Sequence, residues 1–531
     1  MIPKRIHQTW HERTYRENRG TPQSWISRNP GWQYTLWTDE DLLAFVRAEF
    51  PDLLELYNAY PNAVQRADLG RYLLLYRFGG VYADMDTDCL AGFDPLAGDD
   101  RVILCEEPGT HWQQAASLGM KRLYFNGTMA SPAGHPFWRH VIDDTRKCRH
   151  AGPKDVLGST GPLMFSGAIA AYPHRDELAL HSCHLFAPTD KERRESPEKP
   201  RGPYSHLRLS RHNWAGTWFH DRKETRFEKL KGKLRKWRVD ATRPAGLTRT
   251  AAQSRIDAGQ LLSPLPPFDP GNRPDVAVFV PVRDGAPFIE RNMELIRSLD
   301  YPAEKLRLVY CEGDSADGSR EMLERQRDAH ASAFRGIEIL HYATGLALPR
   351  AERWKPEWQR KRRGAIARAR NHLIRHGLTA RDEWVLWLDV DVCDVPRDIL
   401  TVLLSRNRKI VTPNCVTESG GRSYDLNNFL EIGKPKKSHY YKYMIDGIFQ
   451  PPDDFQNRRH LHDLRFLDEA PLSSVGGTML LVHASVHRAG LEFPAIPYDD
   501  LIETEAFGRL ASDFGLTPCG LPNVEIFHVK S

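Results

Sequence analysis

This 531-residue sequence offers little to a disulfide-built, membrane-spanning or nucleic-acid-binding protein. Its eight cysteines, Cys89, Cys105, Cys148, Cys183, Cys311, Cys393, Cys415 and Cys519, are scattered, with no Cys-x-x-Cys pair. Several sit inside apolar runs, so reduced, mostly buried thiols are expected rather than a disulfide frame. No apolar run approaches a bilayer span. The amino terminus, Met1-Ile2-Pro3-Lys4-Arg5-Ile6-His7, has none of the apolar core of a secretory signal, so a cytoplasmic protein is expected. A net charge of +5 is small for this length and argues against a general nucleic-acid binder, although the charge is unevenly placed.

What is present is a pattern written twice. Gly79-Gly80-Val81-Tyr82-Ala83 leads into Asp84-Met85-Asp86, and Trp384-Val385-Leu386-Trp387-Leu388 leads into Asp389-Val390-Asp391. The length favours two domains, and in each half short apolar runs alternate with helical periodicity. Each half opens on a strand (residues 5–9; 276–280) and has a second (34–37; 306–311) followed by an acidic turn (Asp39-Glu40-Asp41; Asp314 to Gly318). A helix ending near glycine (64–78; 364–376) then precedes Asp-x-Asp, and a histidine closes each half. The expected class is α/β, with mostly parallel sheets carrying ligands beyond the strands' carboxyl ends. Expected boundaries are 1–221, a basic, proline-containing linker over 222–272, and 273–531.

In the first half, helical spacing places Asp68, Arg71 and Tyr72 on one face, which by itself reads as a surface ion pair. In extended backbone Asp84 and Asp86 would face the same way and share a cation, and hard oxygen ligands suit Mg²⁺ or Mn²⁺. Asp88 reads as solvated. Together with residues 2–10, Asn126-Gly127, Ser159-Thr160-Gly161-Pro162 and His212-Asn213-Trp214-Ala215-Gly216-Thr217-Trp218, these motifs resemble glycosyltransferase family 32, over residues 2 to about 219. The resemblance implies a GT-A (Rossmann-like) fold, a UDP- or GDP-sugar donor and retention of anomeric configuration. It implies that Asp84 and Asp86 hold ribose and metal-diphosphate, that Asp68 and Arg71 contact donor sugar and phosphate, that Trp10 stacks on the base, and that His212 is a metal ligand or a pyrophosphate contact.

In the second half, the apolar run before Asp389 suits a strand buried on both faces. The basic stretch 350–370, with Lys361-Arg362-Arg363 and Arg368-Ala369-Arg370-Asn371, reads either as a solvated helix face or as arginines facing donor phosphates. With Val280-Pro281-Val282-Arg283-Asp284, Glu312-Gly313-Asp314, Pro413-Asn414-Cys415, Gly421-Arg422-Ser423-Tyr424-Asp425-Leu426-Asn427, Val475-Gly476-Gly477-Thr478 and Ile502-Glu503-Thr504-Glu505, this half is similar to glycosyltransferase family 62. That similarity implies a second GT-A domain, GDP-mannose, Mn²⁺ and retention. It implies that Asp389 and Asp391 bind the metal-nucleotide and that His528 is the distal metal ligand. Arg283 and Asp314 would line the nucleotide pocket, Arg370 would face the donor, and Glu503 or Glu505 would face acceptor or donor sugar.

The expected function is a bifunctional, metal-dependent retaining transferase extending a polysaccharide or lipid-linked glycan, in a bacterial setting such as lipopolysaccharide synthesis. The alternative is one working site beside a glycan-binding or regulatory half. Retention without an evident nucleophile points to same-face substitution, the leaving phosphate taking the acceptor proton. Within 222–238, Phe227, Leu230, Leu234 and Trp237 share one helical face ringed by Lys and Arg. That face reads either as packed on a domain or as an interfacial helix on the cytoplasmic membrane.

Overall fold

The computed structural model describes all residues except 14–21, 151–154, 217–224, 347, 349–351, 354 and 530–531. Residues 217–219 of the first motif series, and the basic positions Arg222, Lys223 and Arg350, lie outside the described residues. The chain forms two compact units, Met1–Arg222 with Asp463–Asp468, and Lys223–His462 with Glu469–Ser531.

The first unit carries strands β1 (Arg5–Thr9), β2 (Gln33–Trp37), β3 (Gly80–Ala83), β4 (Thr87–Cys89), β5 (Val102–Glu106), β6 (Tyr124–Ser131), β7 (Leu178–His181) and β8 (Ser210–His212). Its main sheet is ordered β2-β1-β3-β6-β5-β7. β1 is parallel to β2 and β3, while β6 runs against both β3 and β5, so the sheet is mixed, not purely parallel. The Ala63–Phe78 helix feeds β3 through Gly79 and Gly80, with φ of +63° and +89°. A Cβ on Gly80 would sit 2.5 Å from the Arg5 carbonyl oxygen, so only glycine lets the helix turn straight into the central strand.

The second unit carries β9 (Val276–Val282), β10 (Leu306–Glu312), β11 (Gly336–His341), β12 (Trp384–Leu388), β13 (Val392–Asp394), β14 (Ile410–Val416), β15 (Met479–His483) and β16 (Cys519–His528). They order as β11-β10-β9-β12-β15-β14-β16-β13. Here too the first strands are parallel, and the strand beside the Asp-x-Asp strand, β15, is antiparallel. Val276, Val278 and Val280 enter one core while Ala277 and Phe279 enter another, the two-residue alternation of a strand covered on both faces.

The segment expected to be a linker is folded. It forms helices Arg226–Thr242, Arg249–Gln253 and Ala258–Leu261, and Ala252 and Leu261 are buried in the second unit's core. Lys409 Nζ donates to the Leu261 carbonyl at 2.8 Å. Burial of these apolar side chains, which a low-hydrophobicity stretch conceals, makes the segment part of that unit. Likewise, Asp39-Glu40-Asp41 is not a turn but the first turn of the Asp39–Glu49 helix, capped by Thr38, where carboxylates face unpaired N–H groups.

Candidate active sites

Both Asp-x-Asp segments leave their central strand through the same turn. The Thr87 amide donates to the Asp84 carbonyl at 3.1 Å, and the Val392 amide to the Asp389 carbonyl at 3.2 Å. The extended backbone expected for the pair is therefore corrected to a turn, whose closure brings the carboxylates together. A short strand follows each turn and pairs antiparallel with the strand bearing the late histidine. The registers match: Thr87 opposes His212, and Val392 opposes His528. Each histidine thus stands across from the residue following the second aspartate.

At the first site His212 Nε2 lies 2.9 Å from Asp86 and 3.6 Å from Asp84. Ligand atoms of Asp84, Asp86 and His212 all fall within 4.8 Å of one another, a set that fits a hard divalent cation with positions left for phosphate or water. Burial opposes charge on His212, but Asp86 and Asp84 outweigh it and push its pKa up to about 9. A proton on that ring and a cation on those carboxylates neutralise the same charge. Ala215 N–H donates to Asp86 Oδ2 at 2.9 Å, and Gln8 Nε2 to the Asp84 carbonyl at 3.0 Å, fixing the turn.

Asp68 and Arg71 are not a surface pair. Both are buried, Arg71 Nη2 bridging Asp68 at 2.9 Å and Asp84 at 3.2 Å, with its guanidinium 4.7 Å from the Tyr82 ring centre. Burial pushes the Asp68 carboxyl up to about 6, against the pull of Arg71, Thr160 and Asn126. Thr160 Oγ1 donates to Asp68 at 2.9 Å, and Asn126 Nδ2 to the same carboxylate at 3.3 Å. Asn126, Thr160 and Tyr82 belong to the quoted motifs, yet nothing in their spacing assigns them this support. Trp10 follows the carboxyl end of β1, with its amide on the Trp37 carbonyl. Asp88 is corrected from solvated to paired: Arg211 at 3.0 Å and Asn213 at 3.2 Å tie it across the β4–β8 ladder.

At the second site His528 donates from Nδ1 to the Val529 carbonyl at 2.8 Å, which aims the Nε2 lone pair at Asp391, 3.1 Å away. Two acceptors facing each other call for a proton or a cation between them, and this second-partner arrangement is how ligating histidines are oriented. Tyr424 stacks on the ring at 3.9 Å. Asp389 is reached by Arg370 Nη2 at 3.4 Å. Burial pushes Asp389 up to about 7; Arg370 pulls against it, and Asp391 and Asp425 add to it. Arg370 itself is buried between Trp387 and Phe493, and its Nε and Nη1 have no hydrogen-bond partner. A Cβ on Gly477 would lie 2.2 Å from its guanidinium. The Gly476-Gly477 pair is there for close approach.

A cavity of about 760 Å³ opens beside Asp391, lined among others by Arg283, Arg353, Arg363, Tyr424 and Glu505. Asp314 does not line it. It accepts from the amide and hydroxyl of Thr344 at 2.6 and 2.7 Å, and Arg283 Nη1 donates to the same hydroxyl at 3.3 Å, so Asp314 positions Arg283 from behind. The Ile-Glu-Thr-Glu segment begins the Glu503–Asp513 helix. Glu503 meets Arg363 at 3.3 Å, and Glu505 meets Arg458 at 3.0 Å and caps the Ile502 amide. Burial raises the Glu505 pKa against the pull of Arg458. Arg458 and Asp425, to which Thr478 Oγ1 donates at 2.7 Å, escape sequence reading because their partners lie tens of residues away.

Residues 267–497 match the family model described as Anp1, and residues 16–103 match the glycosyltransferase sugar-binding region containing DXD motif. The mannan polymerase complex subunit mnn9 of Schizosaccharomyces pombe is 30% identical over 275 residues, 48% of this chain and 80% of that protein. The chain belongs to the Anp1 family. In its other half it carries the DXD sugar-binding region, so both motif resemblances hold, and it is a glycosyltransferase. Inositol phosphoceramide mannosyltransferase 3 of the same yeast is 34% identical over 192 residues, 35% of this chain, which spans half of that protein's length. The solved mannosyltransferase PcManGT of Pyrobaculum calidifontis, in complex with GDP-Man and Mn²⁺, is 19% identical with a TM-score of 0.30, over 57% of this chain and 66% of that one. These curated relatives are fungal, which lends the expected bacterial setting no support.

Proposed function

We propose that the chain is a bifunctional retaining glycosyltransferase, built as two GT-A domains in tandem, which adds sugars to a glycan or lipid-linked glycan acceptor. GDP-mannose is the donor at the second site and a UDP- or GDP-hexose at the first. The observation carrying this reading is the repeated construction: the same turn, ladder register and histidine at both Asp-x-Asp segments. A single transferase with an accessory half has no need to keep a matched histidine opposite both pairs.

Asp84 and Asp86 with His212, and Asp391 with His528, would hold Mn²⁺ or Mg²⁺. When bound, the ion supplies Lewis-acid stabilisation of the departing diphosphate. The chain's own groups do the rest. Arg71, pinned between Asp68 and Asp84, presents fixed positive charge beside the first diphosphate site. Arg283, Arg353 and Arg363 line the second cavity, where planar guanidinium groups suit phosphate oxygens and exclude water from the leaving group. Glu503 and Glu505, held by Arg363 and Arg458, orient those arginines, and Glu505 lines the cavity. The acceptor's proton passes to the leaving phosphate oxygen on the same face, which gives retention without a covalent nucleophile.

Donor hydrolysis and transfer, measured over a panel of sugar nucleotides with Mn²⁺, test this in wild type, Asp86→Ala and Asp391→Ala. Asp391→Ala should lose turnover of GDP-mannose and keep that of the first site's donor, and Asp86→Ala the reverse. If both variants lose the same single activity and nothing else turns over, the one-site reading replaces this one.

A further inference from the structure

The Arg226–Thr242 helix, part of the second unit, packs with its small face and exposes its large one. Gly232 is buried, and a Cβ there would meet the Ser438 backbone at 3.0 Å. Arg235 Nη1 donates to the Ser438 carbonyl at 3.2 Å, and Val239 packs against the cluster of Met444, Phe449 and Phe455. Gly232, Arg235 and Val239 therefore form the docked face. At 3.6 residues per turn, Phe227, Leu230, Leu234 and Trp237 fall on the opposite face. They are 63%, 54%, 59% and 74% exposed, and so are not packed on the unit. An apolar stripe left in water costs free energy that packing it inward would recover, so its retention outside needs a partner.

The charge around the stripe says which partner. The helix has seven basic residues against two acidic ones. Lys231 and Arg238 border the stripe on one side, and Arg226 and Lys233 border it on the other. Lys231 Nζ lies 4.4 Å from the Phe227 ring centre, its stem covering the stripe and its charge at the rim. The two acidic residues are already engaged: Glu228 is occupied by the Thr225 cap at the helix start, and Asp240 is paired with Lys236. An aromatic-aliphatic stripe rimmed on both sides by Lys and Arg matches the boundary between acyl chains and anionic headgroups. A protein groove would not require basic charge along both edges.

We infer that this helix is an interfacial anchor that lays Phe227, Leu230, Leu234 and Trp237 into the surface of an anionic lipid bilayer. The helix is docked on the second unit through Gly232, Arg235 and Val239. The cluster under Val239 contains Phe449, which also lines the cavity beside Asp391. The bilayer surface and that cavity thus share one structural support. The inference stands apart from the proposed activity, because its readout is binding.

Co-sedimentation of the full chain with vesicles tests it, using phosphatidylcholine alone and phosphatidylcholine mixed with phosphatidylglycerol. The chain should bind the mixed vesicles, bind phosphatidylcholine weakly, and release as salt rises. The double variant Phe227→Ser with Trp237→Ser should weaken mixed-vesicle binding about tenfold or more, with circular dichroism and donor hydrolysis unchanged. Lys231→Glu with Lys233→Glu should remove the preference for phosphatidylglycerol. Equal binding by wild type and the Phe227/Trp237 variant overturns the inference. So does a wild type that ignores vesicles and instead sediments as a dimer that this variant dissociates, which would assign the stripe to a second copy.

Discussion

Asp382 is fully buried, 2.6 Å from Arg307 and paired also with Arg335, and its carboxylate accepts from the Thr379 amide and hydroxyl at 2.8 Å each. Burial alone would raise its pKa, but the Arg307 and Thr379 hydrogen bonds lower it below the usual carboxylate value. Its contribution is present above the unfolded-state pKa and is lost as pH falls through the lower folded value. Asp382→Asn should cost about 3 kcal/mol at neutral pH, because two half-buried arginines lose a charge partner inside the fold; urea unfolding measures it. Two histidines work in the same direction, at higher pH. His7 and His487 each accept an indole N–H, from Trp37 and Trp387 at 3.2 Å, and each can donate to a backbone carbonyl from the other nitrogen. Burial pushes both pKa values down to about 4. The unfolded chain therefore takes up protons first, so this stability is intact above about pH 6.5 and is lost progressively towards pH 4, by about 3 kcal/mol per ring at the limit. Thermal midpoints should fall between pH 7 and pH 5, and His487→Gln should flatten the fall for the second unit. A flat profile in the wild type contradicts the assignment.

At the scale of elements, alternation and helical period read well from sequence, and the strands preceding both Asp-x-Asp pairs lie where the apolar runs place them. What failed was local polarity. Asp39-Glu40-Asp41 looks like an exposed acidic turn, yet like Glu503-Thr504-Glu505 it is a helix's first turn, because acidic side chains satisfy N-terminal amides as readily as they solvate loops. Asp88 looks solvated and is held by Arg211, a partner 123 residues away. The close approach of Gly477 to Arg370 gives an element-scale prediction. Gly477→Ala should displace Arg370, strip Asp389 of its counter-charge, and lower GDP-mannose turnover on the order of 100-fold. Far-ultraviolet circular dichroism and turnover of the first site's donor should be unaffected; an unchanged GDP-mannose rate would show that Arg370 does not matter to Asp389.

For the whole molecule, the proposed two-site function implies separable activities with a common ionic requirement. Chelation should silence turnover of both donors, and Mn²⁺ should restore both, read as nucleoside diphosphate release with each donor alone. Restoration of only one donor would leave the other site outside the metal-dependent scheme. In both units the late histidine comes from far along the chain, 212 beside 84 and 86 and 528 beside 391, and is delivered by a strand ladder. Sequence order alone places a histidine near the end of each half. The ladder register decides that it faces the second aspartate.

Local chemistry and period were sufficient for the alternation of strands and helices, the paired Asp-x-Asp segments, and the likeness to two glycosyltransferase families, because each is carried by neighbours in the chain. Three features were decided only by tertiary structure: the burial of Asp68 and Arg71, the positioning of Arg283 by Asp314 through Thr344, and the outward face of the Arg226–Thr242 helix. An amphipathic helix announces that it has an apolar face, but whether that face is packed depends on what the rest of the chain brings beside it. Here the chain brings Ser438 to Gly232 and leaves Trp237 in water.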